Sequence, residues 1–174
     1  MTDWARAINP TAPLNTEAEA LAAARASAIA IFLGVVWGIV GVVYMMTDGQ
    51  AAMEAAMAAA GGDEATAGMA GSIAQFAMYM AIGLVVIQAI LGFVQWTKPN
   101  KVIPILFIIL VVYGIGSTAL GQMMAVEMPE AARSPMWLLV AGFVVMLVQL
   151  VLHIAGVRGA SKLDRLRMEA AQNY

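Results

Sequence analysis

Residues 73–122 read IAQFAMYMAIGLVVIQAILGFVQWTKPNKVIPILFIILVVYGIGSTALGQ, two apolar stretches interrupted only by Lys98-Pro99-Asn100-Lys101. Neither Ile73 to Gln95 nor Val102 to Gln122 contains Asp, Glu, Lys or Arg. At a rise of about 1.5 Å per helical residue, each is long enough to cross a hydrocarbon core of roughly 30 Å. Backbone polar groups in lipid must be paired within the segment, so both stretches are expected to be helices. A four-residue connection allows only a reversal, which makes them antiparallel neighbours. Pro99 stops the first helix, and Pro104 is tolerated in the first turn of the second, where no N–H is needed.

Two further stretches share this character, Ser27 to Met46 and Met136 to Val157. The expected fold class is therefore all-α, a polytopic membrane protein forming a four-transmembrane-helix bundle with spans 27–46, 73–95, 102–122 and 136–157. Residues 1–26 form an N-terminal arm and helix extension, 47–72 an outer loop, and 158–174 a basic tail. Composition agrees: 62% of residues are hydrophobic and 11% charged, against roughly 45–50% and 25% in soluble domains. Glu17 and Glu19 precede the first apolar run and no cleavage site interrupts it, so that run is expected to remain in the protein rather than act as a signal peptide.

Orientation follows from the basic residues. Arg6, Arg25, Lys98, Lys101, Arg158, Lys162, Arg165 and Arg167 fall on one side of the four spans and only Arg133 on the other. Basic loops stay cytoplasmic, so both termini are expected inside, in a membrane such as the bacterial inner membrane. The opposite side carries Asp48, Glu54, Asp63, Glu64, Glu127 and Glu130 and is net acidic.

The two halves of the chain share a pattern. Val35-Val36-Trp37-Gly38-Ile39 in the first span matches Val111-Val112-Tyr113-Gly114-Ile115 in the third, and Gly83-Leu84-Val85-Val86 matches Gly142-Phe143-Val144-Val145. This allows a reading as two repeated helical hairpins of like orientation. Helices poor in residue types also produce such matches by chance. In the N-terminal arm, Thr16 to Glu19 reads as a capping box ahead of an alanine-rich run. In the outer loop, Gln50 to Ala60 reads as a helix stopped by Gly61-Gly62.

Small residues are the first functional candidates. Ala30, Gly34 and Gly38 recur every fourth position in the first span, and Gly114, Ser117 and Gly121 cluster in the third. Such stripes let helices approach closely, within the chain or against a partner subunit. Methionine is abundant, with 14 residues mostly toward the outer side. Thioethers are soft ligands, and Met53/Met57 and Met124/Met128 have the i, i+4 spacing that places two sulfurs on one helical face, which motivates a copper hypothesis. Methionine also fills irregular gaps without binding anything.

Intramembrane polar residues are few. Gln88 and Gln149 lie at comparable depth, and His153, the sole histidine, is near the inner end of the last span. Interhelical hydrogen bonding suffices to explain the two glutamines, and a partly wet, hydrogen-bonded imidazole is ordinary at the depth of His153. A lone histidine cannot supply bis-histidine haem ligation. No acidic group lies in a span, which disfavours proton-coupled transport. Absence of cysteine excludes disulfides and thiolate centres.

No catalytic residue, resident cofactor or nucleic-acid partner is expected. The reading by elimination is a non-catalytic integral membrane subunit contacting lipids and either other membrane proteins or further copies of itself. One alternative is a small carrier or channel, with a metal ion such as copper as one candidate substrate and a path past Gln88, Gln149, Ser117 and Tyr113. Another, with no candidate residues, is a membrane enzyme acting on lipid or quinone. The cysteine-free background gives a direct test of topology. A membrane-impermeant maleimide should label Ala51→Cys in intact cells and Asn100→Cys only after permeabilisation; the reverse pattern would invert the orientation.

Overall fold

The computed structural model describes residues 4–59, 64–125 and 133–172; within these, the side chains of 52, 55–59, 64–67, 70, 124 and 125 lie outside the description. The described residues form helices and no strands: α1 (Trp4–Ile8), α2 (Glu17–Met46), α3 (Asp48–Ala59), α4 (Glu64–Thr97), α5 (Val102–Ala125) and α6 (Met136–Gln172). Four of them, α2, α4, α5 and α6, are long and apolar enough to cross a membrane, the mark of a membrane-integral protein.

Thr16 starts α2 with a full capping box: its hydroxyl accepts from Glu19 N, and the Glu19 carboxylate accepts from Thr16 N. The Glu19 carboxylate also accepts from Asn15 N at 2.7 Å. This backbone hydrogen bond is the main reason its carboxyl titrates below the ordinary glutamate range, with Thr16 and Arg6 acting in the same direction.

The central pair is α2 and α6, which run antiparallel in extensive contact, with α4 against α2 and α5 against α6. Small residues decide this arrangement. A Cβ at Gly159 would run into the backbone of Ala23 and Ala24, and one at Gly156 into the Ser27 side chain. Farther along the same seam the Trp37 ring lies over Gly142, where a Cβ would meet it at 3.2 Å. On the other side of α2, Gly92 of α4 admits Phe32 and Ile31.

One expectation is corrected. Although joined by only four residues, α4 and α5 do not pack along their lengths as antiparallel neighbours. The glycines and alanines that permit close approach are concentrated between α2 and α6, while α4 and α5 present Ile90, Phe93, Ile109 and Val112 outward. Residues 158–172 of the basic tail are helical. They form the last turns of α6, with Gly159, Ala160 and Leu163 buried.

The outer segment is also more helical than an ordinary loop, since α3 occupies Asp48–Ala59 and α4 begins at Glu64; Gly61 and Gly62, expected to stop the helix, lie outside the described residues. At 30 and 37 residues, α2 and α6 are about 45 and 55 Å long, well beyond a roughly 30 Å hydrocarbon core. Their excess lengths pair at the end carrying both termini, where Arg167 meets Glu17 at 3.2 Å and Arg6 meets Glu19 at 3.6 Å. The exposed Arg167–Glu17 pair contributes at most about 1 kcal/mol. The buried residues beside them, Ala7, Leu14, Ala20, Ala23 and Leu163, hold this end together.

Close backbone approach makes Gly159 sensitive to one methyl group. Gly159→Ala should lower unfolding stability by about 1–3 kcal/mol through overpacking. Gly121→Ala, where a Cβ meets nothing within 4 Å, should be neutral or stabilising because alanine favours helix by up to about 1 kcal/mol. Thermal unfolding in matched detergent measures both; equal effects would show that the α2–α6 approach is not tight.

Candidate functional site

Two places concentrate polar or ligand-like chemistry. The first is the seam at the terminal end of the spans. Ser27 Oγ of α2 lies 2.8 Å from His153 Nδ1 of α6, both residues being fully buried. Phe107 of α5 stacks on the imidazole at 5.3 Å between ring centroids and 18° between planes. Among the described residues, Nε2 of His153 has no hydrogen-bond partner.

A serine beside a histidine is the start of a nucleophilic dyad, but that chemistry needs a third group to orient the base and room for a substrate. The imidazole is stacked and enclosed here. Among the described residues no three His, Cys, Asp or Glu side chains group as a metal site. The pair is best understood as an interhelical hydrogen bond.

Gln95 is likewise fully buried and organises the short turn. Its Nε2 donates to Ala24 O at 3.3 Å and to Asn100 O at 3.1 Å, while its Oε1 accepts from Asn100 N. Asn100 then caps α5 by accepting from Val102 N and Ile103 N. Arg25 completes the junction, donating from Nε to Trp96 O at 3.2 Å with its guanidinium 5.1 Å from the Trp96 ring centroid. The turn between α4 and α5 is thus tied to α2.

Deeper in the seam, Gln149 Nε2 donates to Ala30 O at 3.2 Å. A Cβ at Gly34 would run into the Gln149 amide and meet Gln88 Oε1 at 3.4 Å. Gln88 of α4 and Gln149 of α6 therefore converge on the Gly34 face of α2. Gly38 faces Val85, and Gly114 faces Met146 across α5 and α6. Ser117 bonds to Gly114 O of its own helix, and Tyr113 is 74% exposed. The carrier path expected along Gln88, Gln149, Ser117 and Tyr113 is not assembled: the two amides meet at Gly34, while the hydroxyls lie exposed on α5.

The second place is a cleft of about 410 Å³ at the opposite end, between the last turn of α2, the start of α3 and the outer part of α4. Met45, Met53 and Met78 line it together with Gln50, Glu54 and Gln75. Of the four methionines expected to bind metal, Met53 alone is placed here. The side chains of Met57 and Met124, and all of Met128, lie outside the described residues. Met45 and Met78 were not anticipated, because thioethers from different helices converge without a recognisable spacing. Ser27, Phe107 and Gln95 were missed for the same reason: only packing marks one serine, phenylalanine or glutamine in an apolar helix from another.

Comparison with protein-family models, curated proteins and solved structures returns no match for this chain.

The buried pair should behave as a coupled unit. In a double-mutant cycle, Ser27→Ala and His153→Phe should show a coupling energy of about 0.6–1.7 kcal/mol, the range for hydrogen bonds between membrane helices. Additive losses in unfolding free energy would mean that the 2.8 Å contact contributes nothing of its own.

Proposed function

We propose that this chain is a non-catalytic integral membrane subunit of a larger assembly, lying in a bacterial inner membrane with both termini cytoplasmic. The observation that carries the reading is the imbalance of packing among the spans. In the most apolar stretch of α4 only 6% of residues are buried, against 28% in α2. A helix so little used within its own fold is available to lipid and to other proteins. The seam's polar groups support the same reading, because Ser27, His153, Gln95 and Gln149 are engaged in joining helices rather than lining a path.

Orientation rests on the basic residues: the end where Glu17 meets Arg167 also carries Arg6, Arg25, Lys98, Lys101 and Arg158, which the positive-inside rule assigns to the cytoplasm. Gentle extraction through a C-terminal tag, native mass spectrometry and peptide identification test the assignment. A stoichiometric complex with different membrane proteins is the expected result. A monomer, or a particle containing only this chain, counts against it.

A further inference from the structure

The far-end cleft has a size and lining that the subunit reading does not use. We propose that it binds amphipathic organic monocations, with their apolar body among the Met45, Met53 and Met78 thioethers and their positive charge toward Glu54. Size is the first argument. At about 410 Å³ the cleft falls within the roughly 300–1,000 Å³ of small-molecule sites, and it is more than ten times the roughly 30 Å³ of liquid volume per water. A single metal ion would leave most of it unfilled.

Chemistry is the second argument. Three unbranched, polarisable thioethers on three helices form a wall that adapts to irregular apolar shapes. Charge is the third. Among the described residues Glu54 is the one charged residue lining the cleft, and Asp48 begins the same helix. No lysine or arginine among the described residues lines it, so an organic anion would find no positive side chain to offset Glu54. Gln50 and Gln75 supply amides at its walls, and Gln75 Nε2 already donates to the Tyr79 hydroxyl at 3.3 Å.

Binding does not depend on the chain having partner subunits, so this proposal and the assembly reading can fail separately. The full-length protein in lipid nanodiscs is titrated by equilibrium dialysis with tetraphenylphosphonium, with the anionic isostere tetraphenylborate and protein-free nanodiscs as controls. Saturable binding of about one cation per chain is expected, with no excess of the borate over protein-free discs. Glu54→Gln should weaken cation binding at least tenfold. Gly71→Leu should abolish it, since Gly71 lines the cleft and a Cβ there meets nothing within 4 Å. Unfolding midpoints establish that both variants are folded, and two different substitutions keep the test valid if one is not.

Cation binding no greater than in protein-free discs, equal binding of the borate, or an unchanged Glu54→Gln affinity would each overturn the proposal. So would stoichiometric binding of Ag(I), a stand-in for Cu(I), without any binding of the phosphonium, which would make the cleft a soft-metal site.

Discussion

The architecture depends on backbone contact between α2 and α6 near the termini. Where Gly159 meets Ala23 and Ala24, and Gly156 meets Ser27, neither glycine has room for even a Cβ. Lipid tails are as apolar as leucine side chains, so burial gives membrane helices little reason to associate. Dense van der Waals packing and interhelical hydrogen bonds must do so, and both require short separations. The glycine–alanine seam supplies the first and brings Ser27 and His153 to 2.8 Å for the second. It also continues past the apolar stretch, so the overhanging turns of α2 and α6 bury Ala20, Ala160 and Leu163 where ordinary hydrophobic burial operates.

Everything else attaches to this pair. Gln95 and Arg25 bind the α4–α5 turn to α2, and Phe107 places α5 against His153 of α6. Each of these ties lies at the terminal end. Toward the far end no comparable set of bonds joins α4 or α5 to the central pair among the described residues, and bulky side chains of both helices face outward. The cleft opens at that less constrained end, beside methionines that tolerate imperfect packing.

Much of the fold was legible in the sequence. Four charge-free runs gave four spans because lipid forces backbone pairing and a minimum length. Thr16 and Glu19 gave the start of α2 because a capping box is local. Packing order was not legible. The four-residue turn implied that α4 and α5 lie side by side, yet the turn fixes only where one helix ends and the next begins; the glycines on α2 and α6 determine which faces meet. The stripe of Ala30, Gly34 and Gly38 was visible, but the tightest contacts are made by Gly156, at the very end of the last span, and Gly159, in the segment that reads as a basic flank. The cleft was hidden more completely, since Met45, Met53 and Met78 stand 8 and 25 residues apart and no periodicity links them.

The two ends of the molecule therefore obey different packing rules, and these bear on what each can do. At the terminal end, helices separated by less than a methyl group leave no room for a ligand, and the buried imidazole and amides are committed to one geometry. Changing any of them alters how helices meet. At the far end the surface is acidic and lined by flexible thioethers, so side chains can rearrange at small cost. A site for a variable guest belongs at the second end, and a rigid platform at the first.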